Sequence, residues 1–130
     1  MVVLTIRTDK PEAELGLFED DKQLAYEQWH AYRELSNTML KKLDELLKSQ
    51  GKKLADVQSI VCFKGPGSFT GLRIGLTVGN TLAYGLQLPI VSAMGENWRE
   101  DGMQKLQNGE NEKIALPEYG AEAHVTVQKK

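Results

Sequence analysis

Ser59-Ile60-Val61-Cys62-Phe63 runs into Lys64-Gly65-Pro66-Gly67-Ser68-Phe69-Thr70-Gly71 and then into Leu72-Arg73-Ile74-Gly75-Leu76-Thr77-Val78-Gly79-Asn80-Thr81-Leu82-Ala83-Tyr84-Gly85-Leu86. The first five residues are a continuous apolar run of strand length and read as a buried strand. The stretch from about Ser68 to Leu86 has the length of a long helix. A glycine-rich loop joins them. Such a strand–loop–helix unit belongs to an α/β protein.

The helix is unusual in two respects. Gly71, Gly75 and Gly79, followed by Ala83, recur every four residues and share one face. Glycine inside a helix costs about 1 kcal/mol relative to alanine, so the row asks for a reason. A face without side chains admits a neighbouring backbone at short range, a steric logic best known from membrane helices. In addition, Ile74, Val78 and Leu82 line one side while Leu72, Leu76 and Leu86 line another. Arg73, Asn80 and Gln87 are the few polar interruptions. A surface helix ordinarily has one apolar stripe and one polar face, so this one asks for cover on two sides. A sheet supplies one cover and another helix part of the rest. A partner protein or a second copy of the chain would supply what is left. Burial wholly within its own domain is the alternative.

Outward from this unit the chain is regular. Val2–Ile6, Ala13–Phe18 and Gln23–Trp29 read as three consecutive antiparallel strands, the last two joined by the polar turn Glu19-Asp20-Asp21-Lys22. From Arg33 to about Gln50 the period becomes helical, with Leu35, Met39, Leu43 and Leu46 in one stripe that Leu40 and Leu47 widen. Gly51 sits where a helix end needs positive φ, and Lys53–Val57 reads as a short helical turn. Ile90-Val91-Ser92, after Pro89, makes a further strand. A mixed sheet follows, three antiparallel strands and then β-α-β-α-β, with helices packed on it. Beyond it, Glu96–Leu106 suits an amphipathic helix, Asn108–Asn111 a turn, and Ile114–Leu116 and His124–Val127 short strands.

The 130 residues suffice for one domain. Hydrophobic residues make up 41% and charged residues 26%, which excludes a disordered chain. A net charge of −2 gives no general pull toward nucleic acid or an anionic membrane. No apolar run reaches the roughly 18 residues that span a bilayer, and the start lacks a signal-peptide core. The single cysteine, Cys62, lies in the apolar run and reads as a buried thiol. A cytoplasmic location is the expectation.

The loop meets none of the common catalytic patterns. Leu72 and Arg73 stand where a Walker A loop needs its lysine and hydroxyl. The third glycine, Gly71, falls one residue late for a dinucleotide fingerprint. Ser68 lacks the flanking glycine of a nucleophile elbow. Anion binding by helix-start amides stays open, at Gly65, Gly67, Ser68, Thr70 and Gly71. His30 and His124 lie far apart, without the cysteines or spaced carboxylates of a metal site, so no metal and no catalytic residue is assigned. Glu19, Asp20 and Asp21 read as turn solvation.

Gly65-Pro66-Gly67-Ser68-Phe69-Thr70-Gly71-Leu72-Arg73-Ile74-Gly75 as a whole resembles the signature of the TsaB (YeaZ) family, in the actin-like, ribonuclease-H-like superfamily. The resemblance spans about Val2 to Ser92, taking in the opening strand, Leu35-Ser36, Leu54–Val57 and Pro89–Val91. Leu116–Tyr119 and Val125–Val127 are similar to the end of that family's chains. The family implies a role in threonylcarbamoylation of adenosine 37 of certain tRNAs, as a non-catalytic scaffold or activator. It implies a TsaD-type catalytic partner docked through the two long helices, with a TsaE-type ATPase in the complex and tRNA engaged indirectly. No cofactor is implied for the chain alone, and ATP with Mg²⁺ would belong to the complex. Docking falls to Leu35, Met39, Leu43, Leu72, Gly75, Val78, Gly79 and Leu82.

Two departures bear on activity. Members of the family have a second domain, for which only residues 93–130 stand here as a reduced C-terminal segment, so a single domain over 1–130 is expected. Where an acid would end the first strand, this chain has Arg7-Thr8-Asp9-Lys10, and an arginine cannot coordinate Mg²⁺. Leu35 replaces a histidine. These changes argue against independent ATPase activity. The alternatives are a nucleotide-binding actin-like domain with phosphotransfer or acyl-transfer activity of its own, and a self-associating homodimer.

Overall fold

The computed structural model of the chain describes residues 1–20, 22–30, 35–67 and 69–117. The meander is β1 (Val2–Arg7), β2 (Glu12–Glu19) and β3 (Lys22–His30). There follow α1 (Leu35–Ser49), a 3₁₀ turn (Leu54–Asp56), β4 (Ser59–Phe63), α2 (Phe69–Leu86), β5 (Ile90–Ala93) and α3 (Trp98–Gln107). The five strands lie in the order β3-β2-β1-β4-β5. β1 is antiparallel to β2 and parallel to β4, and β5 continues the parallel half.

The apolar runs explain this order. β1 and β4 are buried along almost their whole length, as central strands covered on both faces must be. β3 alternates between half-buried and exposed residues because it forms an edge. The pleat sends Ile6, Cys62 and Ile90 toward α2, where they surround Gly79, and sends Val61 toward Gly102 of α3. Trp29 Nε1 donates to Thr38 Oγ1 of α1 at 3.1 Å. Ala13 pairs with Trp29, and Leu15 with Ile6, so α1 shares the face of α2. α3 covers the other face. Three layers result, with the sheet in the middle.

Helix ends follow backbone requirements. Gly51 closes α1 at φ 64°, and Lys52 N–H reaches back to Leu47 C=O at 2.9 Å. α2 ends on Gln87, at φ 57°, with Leu88 N–H bonded to Ala83 C=O. One expected strand is absent: Ile114–Leu116 is irregular, because its anchor is a side chain of α2 and not a strand ladder. The expected strand His124–Val127 lies outside the described residues. No helix among the described residues is long and apolar enough to cross a membrane.

Candidate functional site

The glycine-rich loop meets the turn after β1, and most of its glycines are explained there. Gly65 takes φ 115°, which an L side chain rarely adopts. A Cβ on Gly67 would lie 2.6 Å from Asp9 Cβ. A Cβ on Gly71 would collide with the Thr8 carbonyl oxygen, and one on Gly75 with the Thr8 hydroxyl. Thr8 makes use of that closeness: its hydroxyl donates to Gly71 C=O and accepts from Gly75 N–H at 3.1 Å. Gly79 leaves room for Cys62 Sγ. The backbone that the glycine row admits is therefore the chain's own.

Arg7 holds the same turn. Its Nε donates to Asp9 Oδ1 at 2.7 Å, and its guanidinium lies 3.9 Å from the Phe63 ring centroid. Phe63 in turn meets Trp98 edge to face at 5.7 Å. The arginine that departs from the family pattern thus pairs with a carboxylate two residues on, and that carboxylate packs on Gly67. Reading the sequence singled out Arg7 and missed Thr8 and Asp9. A threonine at the end of β1, facing a helix with glycine every fourth residue, was the available signal. Thr70 is exposed, and Ser68 lies outside the described residues. No group of three or more His, Cys, Asp or Glu side chains that could hold a metal occurs among the described residues.

The expected docking residues divide into two sets. Met39, Leu43 and Leu72 are buried in the chain's own core, Gly75 faces Thr8 just after β1, and Gly79 faces Cys62 of β4, so these five are corrected from docking to core positions. The reason is geometric, since the glycine row and its flanking leucines point into the sheet. Val78 and Leu82 are half-buried, as is Ile74 one turn earlier, and they lie on the flank of α2 away from the glycine row. The side chain of Leu35 is outside the description. α2 also has a solvent-facing line that counting apolar residues passed over: Arg73, Thr77, Thr81 and Tyr84 are exposed, Tyr84 at 88%. On α1, Leu40 is 59% exposed.

Two acidic groups are shifted by burial. Cys62 is buried against Gly79, and loss of water pushes its thiol up to about 12. Burial and a hydrogen bond to Glu14 push Tyr26 up to about 12. A folded-state pKa above the unfolded one means that the folded chain keeps a proton the unfolded chain has lost. Stability should therefore fall as pH rises from 9 toward 12, through Cys62 first. Iodoacetamide at pH 8 should leave Cys62 untouched in the folded chain and alkylate it in denaturant. Equal rates in both states would contradict its burial.

A sheet of order β3-β2-β1-β4-β5, with one antiparallel meander and helices on both faces, defines the ribonuclease-H-like, actin-like class. RuvC of Thermus thermophilus, solved in complex with a Holliday junction substrate, aligns with a TM-score of 0.54 at 14% identity, covering 96% of this chain and 85% of that one. That likeness is one of fold. YeaZ from Pseudomonas aeruginosa aligns with a TM-score of 0.66 at 28% identity, over 72% of this chain and 43% of that one. TsaB of Escherichia coli, a tRNA threonylcarbamoyladenosine biosynthesis protein, is 30% identical over 113 residues, which are 82% of this chain and 48% of that protein. Residues 29–93, half of the chain, match the family model described as TsaD: tRNA N6-adenosine threonylcarbamoyltransferase. The chain belongs to this TsaD-type family, among its TsaB (YeaZ) members. It spans about half the length of the curated relatives it matches.

Proposed function

We propose that the chain serves tRNA threonylcarbamoyladenosine biosynthesis as a docking subunit, which binds a TsaD-type enzyme through the outer face of α1 and α2. The observation that carries this reading is the half-buried apolar line Ile74, Val78 and Leu82, with Leu40 and Tyr84 exposed on the same layer. Leu40 and Tyr84 turn to solvent, at 59% and 88% exposure. The names of the curated relatives supply the pathway, and the TsaD match supplies the partner type. The Arg7–Asp9 pair supports a role without nucleotide chemistry of its own, because Arg7 neutralises the acid packed on the loop. α3 packs on β4 and β5, on the sheet face opposite α1 and α2.

The test is titration calorimetry of the chain with the TsaD-type protein of the same organism. Leu40→Glu and Tyr84→Asp change exposed side chains, so the thermal midpoint should hold. Each should weaken the complex by about tenfold or more, the scale of an interface anchor. Parent-like affinity in both variants would move the docking face elsewhere. A parent chain that ignores the enzyme at micromolar concentration would sink the reading.

A further inference from the structure

β5 is the edge of the parallel half of the sheet, and an edge strand presents unpaired N–H and C=O groups to any other chain. Its alternate residues face β4, with Ile60 N–H bonded to Pro89 C=O and Lys64 N–H to Ala93 C=O. Ile90 and Ser92 therefore turn their backbone groups outward. Each of the four outward groups has a partner, and none comes from a strand. Ile90 N–H donates to Asn111 Oδ1 at 3.2 Å, and Ile90 C=O accepts from Glu112 N–H at 2.8 Å. Ser92 N–H donates to Glu112 Oε2 at 3.0 Å, and Ser92 C=O accepts from Lys105 Nζ at 2.7 Å. The Ser92 hydroxyl donates to the other carboxylate oxygen at 2.7 Å.

The far end of the segment is pinned separately. Asn80 of α2 donates from Nδ2 to Ala115 C=O at 3.0 Å and accepts from Ala115 N–H at 2.8 Å. Ala115 is buried between exposed Ile114 and Leu116.

We infer that residues 111–115 are a strap that, together with Lys105 of α3, seals the β5 edge chiefly through side chains in place of a sixth strand, and so keeps a second copy of the chain from pairing there. Side chains suit the task better than a strand would. A strand laid along β5 would itself offer a new edge, whereas here the side chains of Asn111, Glu112 and Lys105 take three of the outward groups, a single Glu112 N–H takes the fourth, and no ladder is extended. The carboxylate of Glu112 answers two donors of one residue, one on each oxygen.

The test combines amide hydrogen exchange by NMR with light scattering over a range of concentrations. It compares the full parent chain with Asn111→Ala/Glu112→Ala. The double variant should speed exchange at Ile90 and Ser92 by about tenfold or more, leaving Leu4 and Val61 unchanged as internal references. It should also add a self-association step beyond any the parent shows. Asn80→Ala, which releases only Ala115, keeps the test decisive if the double variant does not fold. It should give a smaller change of the same kind. Unchanged exchange at Ser92 would overturn the strap. Faster exchange without new self-association would overturn its sealing role.

Discussion

Gly71→Ala should lower the thermal midpoint of the isolated chain, although alanine is the better helix former by about 1 kcal/mol. The added methyl would land inside the contact distance of the Thr8 carbonyl oxygen, which is backbone and cannot rotate away. Overpacking of this kind costs about 1–3 kcal/mol and more where backbone must move. It would also push Thr8 off its bonds to Gly71 C=O and Gly75 N–H. A net loss of about 1–3 kcal/mol lowers the midpoint of a domain this size by about 3–10 °C. Gly85→Ala supplies the opposite sign in the same helix. Nothing lies within 4 Å of the added carbon, so propensity acts alone. A gain of about 0.5–1 kcal/mol should follow. If Gly71→Ala proved neutral in the isolated chain and weakened only a complex, the glycine row would face a partner after all.

That pair of substitutions marks where sequence reading stopped. The strands and the long helices were legible because their signals are local. Val2–Ile6 and Ser59–Phe63 announce strands by unbroken apolar content, and Met39, Leu43 and Leu46 announce a helix by spacing alone. The reason for the glycine row was legible too, since close backbone approach was expected. Its partner was not. Thr8 lies 63 residues from Gly71, and no periodicity links them. Choosing between a partner's backbone and the chain's own requires the third dimension, and the row faced inward.

Polar anchoring was the least legible. Asn80 looks like a break in an apolar helix, yet it holds Ala115 from 35 residues away. Asn111 sits in what reads as a turn, and Glu112 just beyond it; both bond an edge strand that precedes them by about twenty residues. Hydrophobic patterning finds the core because burial is a property of each residue. A hydrogen bond is a property of a pair, and the sequence does not print the pair. The same limit hid Asp9, whose carboxylate matters because Arg7 and Gly67 meet it.

Trp98→Ala should be the most destabilising single change of those considered, and it tests whether the chain beyond Ser92 belongs to the domain. Trp98 opens α3 and is 2% exposed. Its ring meets Phe63 edge to face, with planes at 74°, and Arg99 lies 5.1 Å from its centroid. Deleting a buried tryptophan side chain costs about 3–5 kcal/mol, against a total stability of about 5–15 kcal/mol for a domain. The midpoint should fall by about 10–20 °C. The effect should also travel. Phe63 seats the Arg7 guanidinium, Arg7 holds Asp9, and Asp9 packs on Gly67. A loosened Phe63 therefore weakens the turn on which Gly71 rests. Trp98→Ala and Gly71→Ala should then fail to add, with a coupling of about 0.5 kcal/mol or more in a double-mutant cycle. Strict additivity would mean that α3 supports the sheet without supporting the loop. A loss under about 1 kcal/mol for Trp98→Ala would make α3 an appendage, since so small a cost is typical of exposed positions and not of a filled core site.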